Sequence, residues 1–119
     1  MIARRSPEEI DKVDRACRLV RGILAELETA VQEGVTTAEL DRLAEARTLE
    51  AGARPAFKGY MGYPASVCIS VNEEVVHGIP GPRRLTAGDL VSLDFGVLLD
   101  GYYGDSAITC GVGTLDPLS

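Results

Sequence analysis

Apolar residues in the first third of the chain recur every three or four positions, which is the spacing of an amphipathic helix. Ser6 followed by Pro7 predicts where this helix begins, and Gly34 is the residue near which we expect it to end. The side chains expected on its buried stripe are Ile10, Val13, Cys17, Val20, Leu24, Leu27 and Val31.

A second helix is predicted to follow directly. Thr36 and Glu39 have the spacing of a capping box, and Gly52 shortly before Pro55 is a typical helix end. The residues expected to face inward are Leu40, Leu43 and Leu49.

From residue 56 onwards the pattern changes to short β-branched runs separated by glycine and proline, which predicts strands and turns. We expect strands near residues 66–71, 74–78, 90–99 and 102–110. Asp100-Gly101 lies between the last two runs and is a strong signal for a two-residue hairpin turn, because both positions of a type I′ turn need positive φ. The predicted fold class is α+β, a single domain over residues 1–119 that is helical over 1–55 and strand-rich over 56–119.

Composition and charge argue against several classes of partner and location. The 119 residues include 18 acidic and 12 basic ones, giving a net charge of −6, which opposes binding to nucleic acid or to an anionic membrane surface. No apolar run approaches the ~20 residues that span a bilayer, and the N-terminus does not resemble a signal or transit peptide, so we expect a cytoplasmic location. Three scattered cysteines predict free thiols.

Two aspartates are the strongest candidates for chemistry. A turn at Asp100-Gly101 places Asp105 opposite Gly96 and Asp94 opposite Ala107, so both carboxylates share one face of the hairpin. As diagonal neighbours they lie roughly 7–8 Å apart between Cα atoms, within reach of a common ion. Aspartate is also uncommon in strands. A metal site therefore competes with a second interpretation, two carboxylates on a solvated sheet face, and two carboxylates alone do not complete a two-metal centre.

His77 is the only histidine of the chain and adjoins a Gly-Ile-Pro bend. Its imidazole could donate a hydrogen bond to a substrate amide or exchange a proton with it. The alternative is an ordinary packed or surface histidine. A zinc site built from several histidines is excluded within this chain.

Residues 62–80, 85–96 and 100–107 closely resemble, in order and spacing, the motifs of type I methionine aminopeptidases. The resemblance implies half of a pita-bread fold and removal of the initiator methionine by a dinuclear metal centre. It implies that Asp94 chelates one metal ion, that Asp105 bridges both, and that His77 contacts the scissile amide without binding metal. The metal could be cobalt, manganese, iron or zinc.

By the same resemblance, a pocket for the methionine side chain is lined by Phe57, Tyr60, Tyr63 and Cys68, with His77 also contacting the substrate. An unbranched thioether suits such a lining. Without the resemblance, ordinary core packing explains the first four residues equally well.

The chain departs from the family in one large respect. One histidine and two glutamate ligands belong to a C-terminal half that this sequence does not match, so we expect a partial metal site and an inactive isolated chain. This is the expectation for a truncated, fragmentary or split enzyme. The alternative function is a non-catalytic module that binds protein N-termini or a partner protein. A smaller departure is Tyr103, where many relatives have histidine.

The expected partners are peptides or nascent chains with N-terminal methionine. Because half of the fold is unmatched, we also expect an exposed apolar sheet surface that promotes self-association, with either a homodimer or a complementing C-terminal half covering it. The residues expected on that surface are Val91, Leu93, Phe95, Val97 and Ile108.

Overall fold

The structure is a computed structural model that describes residues 7–58, 65–72 and 80–112. Two helices precede an antiparallel sheet: α1 (Pro7–Ala30), α2 (Thr37–Glu50), β1 (Arg54–Pro55), β2 (Val67–Val71), β3 (Leu90–Leu99) and β4 (Tyr102–Gly111). Ser6 and the strand expected at residues 74–78 lie outside the described residues. None of the described helices is both long and apolar enough to cross a membrane.

Strand β3 is the centre of the sheet. It pairs with β4 along its whole length, from Leu90 opposite Gly111 to Leu99 opposite Tyr102. The short β1 and the longer β2 also pair antiparallel with β3. Because β4 occupies one edge of β3, these two strands follow one another along the other edge. Strand β1 was not predicted, since two residues are too few to show an alternating pattern.

The β3–β4 hairpin forms as predicted. Asp100 and Gly101 have φ values of 52° and 84°, so both central residues of the turn adopt the left-handed conformation that a type I′ turn requires. The register places Asp105 opposite Gly96 and Asp94 opposite Ala107. The turn therefore fixes which residues of the two strands share a face.

The apolar face of the sheet is covered by α1, which corrects one expectation. The side chains of Val91, Leu93, Phe95 and Val97 are completely buried in a core shared with the helices, and Ile108 is half-buried against the same core. An exposed surface made of these residues was therefore a wrong prediction. The described helices cover this face, so it offers no basis for self-association.

Helix α1 ends earlier than expected and turns a slightly different stripe inward. It ends at Ala30, and Gly34 lies in the following turn with φ of 91°. Ile10 is 57% exposed, because a residue ten positions before Val20 lies about 80° around an ideal helix from it. The side chains of α1 that are buried are Ala16, Val20, Ile23, Leu24 and Leu27.

Helix α2 begins with the predicted capping box. The Thr36 hydroxyl accepts from the Glu39 backbone N–H at 3.1 Å, and the Glu39 carboxylate accepts from the Thr36 N–H at 2.8 Å. The inward-facing prediction is confirmed for Leu40 and wrong for Leu49, which is 57% exposed. Thr48 is buried in its place, since its hydroxyl donates to the Ala44 carbonyl at 2.7 Å and four-residue spacing continues the Leu40 stripe.

The Asp89 carboxylate forms hydrogen bonds directly before the start of β3. From these bonds we expect the stability of the fold to decrease at acidic pH. The Asp89 carboxylate accepts from the Thr86 N–H at 2.9 Å and from the Asn72 side-chain amide at 3.0 Å. The Thr86 backbone hydrogen bond first, and then that from Asn72, hold the pKa of Asp89 below its ordinary value. Asp89 therefore contributes stability above its unfolded pKa of about 3.9, and this contribution is lost as the pH falls through the lower folded value.

We expect Asp89→Asn to remove part of this acid dependence. Urea unfolding at pH 7, 4 and 3 should show a smaller loss of stability on acidification in the variant than in the unsubstituted chain. Identical pH dependence in the two proteins would contradict the assigned role of Asp89.

Candidate active site

The two aspartates lie on the face of the hairpin that α1 does not cover. Asp94 on β3 and Asp105 on β4 are both exposed, and the register makes them diagonal neighbours across the strand pair. Cα atoms in this relationship are roughly 7–8 Å apart. Flexible carboxylates at that separation can contact the same bound ion.

Strand β2 brings a thiol into the same row. Cys68 pairs directly with Asp94, which in turn pairs with Ala107, so three strands contribute adjacent residues to this face. Cys68 is half-buried and is a free thiol, as predicted. The β2–β3 register therefore places Cys68 beside the carboxylate pair.

The next row of this face is polar and small. Ser92 pairs with Ser70 on one side and with Thr109 on the other, and the hydroxyls of Ser92 and Thr109 lie 3.1 Å apart in a hydrogen bond. Together with the row of Asp94, these residues make one face of the sheet hydrophilic. The opposite face is the apolar core.

A cleft opens beside Asp105, on the side that faces the hairpin turn. Its volume is about 310 Å³ and its floor contains Gly96, where a Cβ would meet the Gly104 carbonyl oxygen at 3.2 Å and the Ala56 Cβ at 3.4 Å. The missing side chain thus keeps space open next to the carboxylate. The cleft is lined by Ala56, Phe57, Gly96, Tyr103, Gly104 and Asp105.

Tyr103 and Ala56 are cleft residues that we did not assign from the sequence. Tyr103 is 65% exposed and lies two positions before Asp105 on the same strand, hence on the same face. Strand alternation could have identified it. Ala56 reaches the cleft through β1, whose pairing with β3 has no sequence signal.

Three of the predicted site residues cannot be placed. Tyr60, Tyr63 and His77 lie outside the described residues. Within residues 7–58, 65–72 and 80–112, no three side chains of His, Cys, Asp or Glu are grouped closely enough to hold a metal ion. Asp94 and Asp105 are therefore at most part of a donor set.

Comparison with known sequences gives the family. Residues 11–118 match metallopeptidase family M24. The methionine aminopeptidase of Helicobacter pylori is 49% identical over 98% of this chain and 46% of its own length. Methionine aminopeptidase 1 of Bacillus subtilis is 47% identical over 97% of this chain and 46% of its own length. The chain thus spans about half the length of the curated relatives it matches.

Solved structures agree with this assignment. Methionine aminopeptidase from Rickettsia prowazekii superposes with a TM-score of 0.92 at 35% identity, over 98% of this chain and 47% of that one. The prolidase from Pyrococcus horikoshii superposes with a TM-score of 0.80 at 26% identity, over 94% of this chain and 31% of that one. The expected half of a pita-bread fold and the resemblance to the N-terminal half of methionine aminopeptidases are confirmed. This chain belongs to metallopeptidase family M24.

Proposed function

We propose that this chain supplies one half of a metallo-aminopeptidase site that removes N-terminal methionine from peptides and nascent chains. The observation that carries the proposal is the hairpin register, which places Asp94 and Asp105 on one exposed face in a member of a metallopeptidase family. Because α1 packs on the other face of this strand pair, the two exposed carboxylates on the open face can reach a ligand.

The chemistry of these donors fits divalent metal ions. Carboxylate oxygens bind such ions readily, both side chains are exposed, and Gly96 leaves room beside Asp105. The set is incomplete among the described residues, so further ligands have to come from another part of the functional protein. When bound, the metal supplies Lewis acidity that polarises a carbonyl and lowers the pKa of water.

The residues of this chain would hold and orient the reactants. Asp94 and Asp105 would provide negative charge that holds the cations, and the cleft beside Asp105 would place apolar and aromatic side chains such as Phe57 and Tyr103 next to them. We propose that Phe57 and Cys68, with Tyr60 and Tyr63, contact the methionine side chain. In the same proposal His77 donates a hydrogen bond to the scissile amide and so orients it.

A hybrid enzyme tests this proposal directly. In this hybrid, the chain replaces the matching part of the Bacillus subtilis relative, so that the remaining ligands come from the relative. We expect the purified hybrid to release methionine from a Met-Ala-Ser peptide in the presence of manganese or cobalt, whereas the isolated chain should not. A folded hybrid without activity would contradict the proposal.

Calorimetry distinguishes the alternative binding function. A non-catalytic module for protein N-termini should bind a Met-initiated peptide without any metal. We expect no such binding by the isolated chain, and clear heat release on titration of that peptide into metal-free protein would favour the alternative.

A further inference from the structure

Helix α2 presents two carboxylates to the segment that precedes β2. Asp41 and Glu45 are four residues apart and so lie on the same face of the helix. Asp41 Oδ1 accepts two hydrogen bonds, from the backbone N–H of Ser66 at 2.7 Å and of Val67 at 2.9 Å. Glu45 Oε1 accepts from the Lys58 ammonium at 2.6 Å.

These contacts hold the chain on both sides of residues 59–64. Lys58 immediately precedes residues 59–64, and Ser66 and Val67 follow closely after them. Next to the first contact, Phe57 lines the cleft beside Asp105. Next to the second, Cys68 pairs with Asp94. The carboxylates of α2 therefore contact the chain next to Phe57 on one side of residues 59–64 and next to Cys68 on the other.

Strand β3 also contacts the chain on both sides of residues 59–64. The Ala56 N–H donates to the Gly96 carbonyl at 2.9 Å, and Val67 pairs with Phe95. The contacts on the two sides of residues 59–64 are thus made with adjacent residues of β3, Gly96 and Phe95. Cys68 lies within β2, whose five residues all pair with β3, so Asp41 adds to an attachment that already exists there. Phe57 follows the short β1 and the Ala56 hydrogen bond, so its direction depends more on a second attachment.

Asp41 is the stronger of the two attachments. Hydrogen bonds from backbone N–H groups to a carboxylate are about twice as strong as neutral ones, and these two are partly buried. Ser66 is completely buried, and its hydroxyl has no hydrogen-bond partner in the described part of the chain, so Asp41 holds this residue through its backbone. The Lys58–Glu45 pair is more exposed, with 46% and 28% of the side chains accessible, and such pairs contribute less.

We propose that Asp41 and Glu45 form a clamp on α2 that positions Phe57 and Cys68 around the Asp94–Asp105 pair. They are positioning residues, because neither lines the cleft. The role of this positioning in catalysis rests on the proposed aminopeptidase function. The clamp itself can be detected by proteolysis, which needs no enzymatic activity of the chain.

Limited proteolysis of the 119-residue chain tests the clamp. Chymotrypsin cleaves after aromatic residues unless proline follows, so Phe57 and Tyr60 report on the clamped stretch, whereas Tyr63 precedes Pro64 and does not. Tyr102 and Tyr103 on β4 report on the whole fold. We expect Asp41→Ala to speed cleavage within residues 57–63 by about tenfold, since two hydrogen bonds to a charged group are lost. Cleavage at β4 should change far less.

Matched variants separate the clamp from general destabilisation. Asp41→Asn keeps an oxygen acceptor but loses the charge, so its cleavage rate should lie between those of the unsubstituted chain and Asp41→Ala. Glu45→Ala should give a smaller increase than Asp41→Ala, about two- to threefold. Glu50→Ala removes a carboxylate of α2 that bonds to Arg47 instead and should have no local effect. Unchanged cleavage at residues 57–63 in Asp41→Ala and Glu45→Ala, or an equal increase at β4, would overturn the proposal.

Kinetics of the hybrid enzyme test the positioning role. We expect Asp41→Ala to raise KM for the Met-Ala-Ser peptide several-fold while kcat changes little, and Asp41→Asn to restore KM in part. If Asp41→Ala speeds cleavage by chymotrypsin but leaves KM of the hybrid unchanged, the positioning role is wrong. If the unsubstituted hybrid is inactive, the proposed function fails, whereas proteolysis of the chain still decides whether the clamp exists.

Discussion

Gly104→Ala is expected to destabilise the fold by about 3 kcal/mol, near the upper end of what overpacking usually costs. A Cβ at this position would lie 2.6 Å from the Ala16 carbonyl carbon and 2.6 Å from the Cys17 backbone nitrogen. Both atoms belong to the backbone of α1 and cannot move aside as a flexible side chain would. The helix has to shift away from β4, which loosens the buried packing between them. Urea unfolding measures the change.

Gly22→Ala is the matched control for this substitution. Gly22 lies within α1, and a Cβ there meets nothing within 4 Å. Alanine in a helix interior is favoured over glycine by roughly 0.5–1 kcal/mol, so this variant should be more stable than the unsubstituted chain. If Gly104→Ala were as stable as Gly22→Ala, the close approach of α1 to β4 would be wrong.

Asp105→Asn should lower the activity of the hybrid enzyme by more than about 100-fold. Substitutions of residues that merely support metal ligands cost about 10- to 100-fold in metal affinity or activity, and Asp105 is proposed to bind metal directly. The amide that replaces the carboxylate carries no charge to hold a cation. Methionine release from the Met-Ala-Ser peptide at saturating manganese measures the effect.

Asp100→Asn controls for loss of charge in the same hairpin. Asp100 lies in the turn with φ of 52°, a conformation that asparagine also tolerates. The hairpin should therefore form unchanged and activity should stay within about twofold of the unsubstituted hybrid. Comparable losses in Asp100→Asn and Asp105→Asn would show that a general effect of charge, and not metal binding, explains the result.

The hairpin shows how much a local signal can determine. Asp100-Gly101 fixes the turn type, the turn fixes the register, and the register places Asp94 and Asp105 on one face. Each step depends on neighbouring residues alone. For that reason the central pair of the candidate site could be predicted from the amino-acid sequence.

Features that depend on distant contacts were predicted less well. Alternation along β3 divides its residues into two faces, but it does not say that α1 covers the face of Phe95, so the apolar strands were wrongly expected to be exposed. Likewise, Leu49 is apolar and Thr48 is not, yet Thr48 is the buried residue because it continues the buried face of Leu40 and Ala44. Its hydroxyl is satisfied there by the Ala44 carbonyl.

The supporting contacts of the site had no sequence signal. Asp41 and Glu45 look like ordinary polar positions of an amphipathic helix, and their partners follow 13 to 26 residues later. Similarly, the pairing of Cys68 with Asp94 depends on the β2–β3 register, which no short turn fixes. Motif resemblance pointed to Cys68, but only the structure shows which strand residue faces it.

Metal titration of the hybrid enzyme tests whether Asp94 and Asp105 together hold divalent metal. Isothermal titration calorimetry with Mn²⁺ should give the same affinity for the unsubstituted hybrid and for Asp100→Asn. In Asp94→Asn and in Asp105→Asn, we expect the affinity for Mn²⁺ to be weaker by more than about 100-fold or one bound ion to be lost. Unchanged affinity and stoichiometry in both folded variants would contradict it.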